Sequence, residues 1–234
     1  WAFTCAASEV DIPLLSLKGV SWTSDELAYI KELNRKGSIN IATKTSTAVY
    51  LPHKDGSISG FHYSVLKEFA DLAKVSLDIK LVTWNDYFYK EGEDLERVKS
   101  DPDYSFVPTL FESVDLYVDG ITALAWREKM FDIVKYVPSR QVIVARKDNL
   151  PHELSDLNGK LCVMVRHTSM EQNLEKLKRA NQLNFSYVST EDFDVMDKLV
   201  SEGRADFTVY DSDRAFAALA RYDNLTIAWP ISEP

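Results

Sequence analysis

The chain has 234 residues, with 27 Lys plus Arg against 36 Asp plus Glu and a net charge of −9. Hydrophobic residues make up 45% and charged residues 27%, a globular mixture able to bury a sizeable core in one or two domains. The acidic balance argues against nucleic acid or an anionic membrane surface as the main partner, since both need clustered Lys and Arg, and no apolar run approaches the roughly 18–20 residues of a spanning helix.

Residues 1–22 show no clean period and read as an arm laid on the surface. Thr23-Ser24-Asp25-Glu26 then sets Thr23 and Glu26 at capping-box spacing. The helix that follows carries Leu27, Ile30 and Leu33 on one stripe and stops at Gly37. Ile39 and Ile41 begin a strand, and 44–60 is a loop with Asp55-Gly56 and Gly60 as turn residues. Phe61, Val65, Phe69, Leu72 and Ala73 follow a helical period. Val75, Leu77, Ile79 and Leu81 alternate with polar residues as a half-buried strand. Strand, helix and strand at this spacing predict parallel pairing.

Residues 84–112 are irregular, aromatic and acidic. Leu116 and Val118 mark a short strand ending at Asp119-Gly120, Ala125 to Phe131 reads as a short helix, and Ser139 to Arg146 as a long extended stretch. After Asp148-Asn149-Leu150-Pro151 the pattern restarts. Leu161 to Val165 is a buried strand, Met170, Leu174 and Leu177 share a helix face, and Phe185 and Tyr187 are strand-like. Thr190 is expected to cap a helix bearing Phe193, Met196, Leu199 and Val200 and ended by Gly203. Ala205 to Tyr210 is a strand, Ser212 to Tyr222 a helix, and Leu225 to Trp229 a last strand. Two α/β units in series therefore flank an extended segment. The two cysteines make no disulfide framework: Cys162 reads as a small buried hydrophobe, and Cys5 lies in the N-terminal arm.

The chemistry is sparse. No phosphate-binding glycine loop, nucleophile elbow or Cys-x-x-Cys occurs, and no two of the four histidines pair at i, i+4. Neither a metal nor a cofactor is expected. What remains is polar residues where strands end and helices begin, the ligand-binding position of open α/β sheets. Four places qualify: Lys44 to Tyr50, Gly120 to Arg127, Arg166 to Ser169, and Tyr210-Asp211. Two come from each unit, which suits a small-molecule trap between lobes.

In Ile39-Asn40-Ile41-Ala42-Thr43, Gly60-Phe61, Gly120-Ile121-Thr122 with Arg127 and Asp132, Asp156-Leu157-Asn158-Gly159-Lys160, Thr168-Ser169, and Gly203-Arg204-Ala205-Asp206 followed by Asp211, the chain resembles the family 3 extracytoplasmic solute-binding proteins, binders of polar amino acids. The resemblance implies the type 2 periplasmic-binding fold: two α/β lobes, each a mixed, mostly parallel sheet flanked by helices, with a hinge between. The divisions expected are an arm and helix at 1–37, a first lobe at 38–138, a second at 139–227, and the start of a return to the first at 228–234. The family pattern adds a closing segment after that return, so a longer protein is expected.

The resemblance also implies roles. Arg127 would clamp a ligand α-carboxylate, helped by Thr122, the Gly120 backbone, Thr168 and Ser169. Asp211 would hold the α-ammonium, and Lys44, Thr47, Tyr50 and Trp84 would line the side-chain pocket. His167 stands where the family usually has Gly, and Lys44 where some members have an acid; both add donors. Without the resemblance, Arg127 fits a surface arginine paired with Glu128 or Asp132, Asp211 a helix N-cap, Thr168 and Ser169 ordinary capping residues, Tyr50 and Trp84 core aromatics, His167 a loop residue and Lys44 a solvated side chain.

The function expected is a periplasmic or otherwise extracytoplasmic module, tethered or free, that captures a small solute such as an α-amino acid. It would serve as the sensor of a membrane receptor or as the binding component of a transport system, with a permease or a missing C-terminal region as its membrane partner. The alternatives are the regulatory amino-acid- or peptide-binding domain of a membrane-bound lytic transglycosylase, and a protein-interaction module with a degenerate cleft. The chain itself is not expected to be an enzyme.

Overall fold

Thr23 opens α1 (Ser24–Lys36) with the capping box its spacing predicts: its Oγ1 accepts from Glu26 N at 3.2 Å, and its own N–H donates to the Glu26 carboxylate at 2.7 Å. These contacts come from a computed structural model that describes residues 11–232, so the reading of Cys5 lies outside the described residues. Gly37 ends α1 in the left-handed conformation, at φ 84°. The chain then enters β1 (Ser38–Thr43), a loop bearing the small hairpin β2 (Leu51–Pro52) and β3 (Ile58–Ser59), and α2 (Phe61–Ala73). Gly60 is obligatory at that junction: its φ is 133°, and a Cβ there would lie 2.2 Å from Val49 O.

From α2 the chain returns as β4 (Ser76–Leu81), parallel to β1 in register from Ser38–Ser76 to Thr43–Leu81. The irregular region holds α3 (Leu95–Ser100) and leads to β5 (Leu116–Tyr117), parallel to the other edge of β1, and then to α4 (Ala125–Glu128). The first sheet is thus β4-β1-β5. Burial of Leu33, Ile39, Ile41 and Val118 packs α1 and α2 onto it.

The second lobe contains β6 (Gln141–Arg146), β7 (Leu161–Val165), α5 (Ser169–Ala180), β8 (Ser186–Thr190), α6 (Phe193–Ser201), β9 (Phe207–Asp211), α7 (Ser212–Arg221) and β10 (Leu225–Pro230). Its order is β10-β6-β9-β7-β8, with β7 parallel to β8 and β9, and β6 antiparallel to β9 and β10. The central strands are mostly apolar, and Ile143, Val144, Cys162, Val163 and Val209 are fully buried. Cys162 is the small core residue expected. The capping expectation needs correction: Thr190 is still in β8, and Asp192 caps α6, accepting from Asp194 N at 2.8 Å. The Thr190 hydroxyl accepts from Asp192 N instead.

The chain enters the second lobe ahead of β6, and the end of β10 lies beside that entry. Ile231 N donates to Gln141 O at 2.7 Å, and Gln141 N to Ser232 Oγ at 2.9 Å. The hydrophobic core is continuous across the cleft: Trp84 of the first lobe meets Phe193 of the second with ring centroids 6.3 Å apart.

Candidate functional site: a closed cleft between the lobes

Side chains stand apart at strand ends because the strands stop there and release them. The ends of β1, β5, β7 and β9 converge on one small cavity of about 30 Å³. Lys44, Trp84, Asp119, Gly120 and Thr122 line it from the first lobe, and Thr168, Ser169, Phe193, Asp211, Asp213 and Arg214 from the second. Three polar contacts bridge the lobes around it. Thr122 Oγ1 lies 3.0 Å from Ser169 Oγ, Arg214 donates from Nη1 to Ser46 Oγ at 3.1 Å, and His62 Nε2 lies 3.6 Å from Asp213 Oδ2. A larger groove of about 850 Å³ runs alongside, and Lys44, Trp84 and Phe193 form part of both walls.

Arg127 is not a surface residue. It is 1% exposed, enclosed by the rings of Trp126, Phe88 and Trp84 at 4.9, 5.1 and 5.3 Å. Its Nη1 donates to the carbonyl of the cavity residue Thr122 at 3.0 Å, while Nε and Nη2 have no hydrogen-bond partner among the described residues. Glu128 pairs with Lys135 instead. Burial lowers the Arg127 pKa to about 10, against the pull of Asp211 and Asp119, so the guanidinium remains charged at neutral pH. A buried cation with two unused donors favours an anion, because each unpaired buried polar group is costly.

Asp211 ends β9 at the N-cap position of α7, yet its side chain makes no capping hydrogen bond. The carboxylate lines the cavity and is met by Gln141 rather than by the helix. Burial raises its pKa to about 6, with Asp213 adding to the rise and Gln141, Arg127 and Arg214 opposing it. Thr168 is committed elsewhere: buried at the N-cap of α5, it donates to Val165 O at 3.0 Å and accepts from Glu171 N at 3.2 Å. Ser169 presents its hydroxyl to Thr122 and accepts from Gln141 Nε2 at 3.0 Å; Gln141 is held in turn by Asn173.

Lys44 is not solvated. Its side chain is 11% exposed, its Nζ is 3.2 Å from Asp119 Oδ2, and it lies over the rings of Phe193 and Trp84 at 4.1 and 4.6 Å. Burial lowers its pKa, opposed chiefly by Asp119. Four expected site residues do not line the cavity. Arg127 is one, buried behind the Thr122 carbonyl that it holds. Tyr50 packs edge-on against Tyr63 at 5.3 Å in a separate core. Thr47 is in the preceding turn and does not line the cavity. His167, at φ 61°, faces the outer groove, with its N–H on Glu171 at 2.7 Å.

The cavity also uses residues that the sequence did not single out: His62, Asp119, Phe193, Asp213 and Arg214. Asp119 carried a partial signal, being the last residue before the strand-ending Gly120. Gly120 in turn leaves room for His62, since a Cβ there would approach His62 Nε2 to 3.2 Å.

These lobes, with their strand ends facing across a hinge, define the two-lobed fold of the periplasmic binding proteins, and the resemblance to the family 3 solute binders stands. The arginine-binding protein of T. maritima in its holo form superposes with a TM-score of 0.63 at 24% identity, covering 84% of this chain and 79% of that one. A periplasmic binding protein from Brucella ovis with glutathione bound superposes at 0.67 with 18% identity, covering 88% and 63%. No family model matches the chain.

In sequence the chain is similar to membrane-bound lytic murein transglycosylase F. The protein of that name from Saccharophagus degradans is 23% identical over 209 residues, 88% of this chain and 38% of its own length; that from Pseudoalteromonas translucida is 26% identical over 229 residues, 94% and 43%. The chain thus spans about two-fifths of the length of the curated relatives it matches. Their names overturn the expectation that the protein is not an enzyme, because the sequence relatives are named for a lytic transglycosylase.

Proposed function

We propose that this domain closes its two lobes on a small α-amino acid or a similar zwitterion. The observation that carries the reading is Arg127, buried and charged, with two guanidinium nitrogens unpaired among the described residues, behind a cavity lined by an Asp211 carboxylate that is not spent on capping α7. Arg127 and Ser169 would take the carboxylate, and Asp211 the ammonium. In a dry cleft such charge-assisted bonds are stronger than in water, which favours closure over the open form.

The names and lengths of the sequence relatives favour one setting for this module: the extracytoplasmic ligand-binding part of a longer, membrane-associated transglycosylase, in which ligand capture regulates cell-wall cleavage. Nothing comparable favours a transport or signalling role. Calorimetry against the twenty amino acids tests the binding reading. One or more should bind, and Arg127→Ala should abolish binding while leaving the circular dichroism spectrum unchanged. Unaltered affinity in that variant would refute the clamp.

A further inference from the structure

Lys44 Nζ sits 3.2 Å from Asp119 Oδ2 and lies over the faces of Phe193 and Trp84. Two aromatic faces and a buried carboxylate are the parts of a recognition site for an organic cation. Here the cation belongs to the chain. The Asp119 side chain is 3% exposed, and its charge is already met by Lys44. Phe193 is engaged on another side as well, with the guanidinium of Arg214 4.2 Å from its ring centroid. A third cation entering this corner would meet two positive charges, and Asp119, the carboxylate beside the two rings, is already paired with Lys44.

We propose that Lys44 is a built-in occupant of the side-chain end of the cleft, restricting the ligand to amino acids with short uncharged side chains and excluding basic ones. This rests on the amino-acid reading and adds a ligand class to it. Long neutral side chains are limited by the same wall, because Lys44, Trp84 and Phe193 separate the inner cavity from the outer groove. Acidic side chains gain little, since binding Lys44 would mean displacing Asp119. Removing the Lys44 amine should leave an aromatic and acidic box open to an external cation.

Two measurements on the same proteins test this. The first is thermal shift of wild type and Lys44→Ala with ethylammonium chloride, using sodium chloride at equal ionic strength as the control. The amine should raise the Tm of the variant and not of the wild type; an equal response of the two overturns the proposal. The second is calorimetry with glycine, alanine, serine, lysine and arginine. Wild type should bind short side chains at least about tenfold more tightly than arginine, and Lys44→Ala should narrow that gap by about tenfold or more. Arginine binding wild type as tightly as alanine, or a gap unmoved by the substitution, overturns the proposal. Should Lys44→Ala fail to fold, Lys44→Met, which keeps the aliphatic stem without the charge, takes its place in the calorimetry, and the wild-type arginine-to-alanine ratio decides by itself. If the amine stabilises Lys44→Ala but neither protein binds any of the five amino acids, the corner is a cation box and the amino-acid reading is what fails, taking the ligand restriction with it.

Discussion

Thr122 Oγ1 and Ser169 Oγ stand 3.0 Å apart, tying the loop after β5 in the first lobe to the first turn of α5 in the second. Both hydroxyls also have a place in the proposed carboxylate site, beside the Thr122 carbonyl that Arg127 holds. The contact thus couples ligand capture to the closed arrangement. Ser169→Ala removes it and leaves Gln141 Nε2 without its acceptor. Affinity for the ligand should fall by about tenfold, the effect of one hydrogen bond to a charged group. Titration calorimetry reads this directly, and an unchanged Kd would remove Ser169 from the site.

Asp211 gives the binding a pH dependence. Its pKa is raised to about 6 by burial, so the carboxylate needed for an ammonium is lost as the pH falls through that value. Ligand affinity should be flat above pH 7 and decline from pH 6 to pH 5. Asp211→Asn should bind weakly at every pH; a variant that keeps the wild-type profile would show that another group titrates.

Asp197 offers a stability test away from the cleft. It is 2% exposed on α6, and burial raises its pKa from 3.8 to about 6. The folded protein then holds this proton more tightly than the unfolded chain. Its contribution to stability is complete below about pH 4 and is lost as the pH rises through about 6. At pH 8 ionisation costs up to about 3 kcal/mol. Asp197→Asn should therefore gain stability at pH 8 and little at pH 4, as followed by urea denaturation. A gain of equal size at both pH values would point to packing rather than charge.

Asp213 behaves in the opposite sense. Burial pushes its pKa up, but the nearby His62 ring and a hydrogen bond from Ser139 at 3.0 Å more than offset this and hold it below its ordinary value. A depressed carboxylate pKa stabilises the fold above the unfolded value of 3.8, and that contribution is lost as the pH falls through the folded value. Asp213→Asn should lower the Tm at pH 6 to 7, and the difference from wild type should shrink towards pH 3. Because the His62 contact spans the lobes, the same substitution should also widen the particle in small-angle scattering at neutral pH. A Tm difference that persists undiminished at pH 3 would count against the ionic origin.

Much of the architecture was legible because it is local. The Thr23–Glu26 spacing found its capping box, the alternation from Leu77 to Leu81 found a strand, and the helical spacing of Phe61, Phe69 and Ala73 found α2. The strand-end rule located Lys44, Gly120, Thr122, Ser169 and Asp211 on one cavity without any knowledge of how the lobes meet. Where it failed, packing had intervened. Tyr50 is consumed by Tyr63, His167 turns outward at φ 61°, and Asp192 displaced Thr190 as the cap because β8 runs on through Thr190.

The sequence by itself determined which residues leave the sheets as polar strand ends, because periodicity and capping depend on neighbours within a few positions. Only the tertiary structure decided what those residues do. Arg127 could be a surface arginine or a buried one, and Trp84 and Phe88 from another part of the chain, closing over it with its neighbour Trp126, made it buried. Lys44 could be solvated, and Asp119, Trp84 and Phe193 made it an internal cation. The bond from Arg214 to Ser46 joins positions 168 residues apart. Such pairs exist only once two separately folded sheets are brought face to face, and no local pattern in the chain records that meeting.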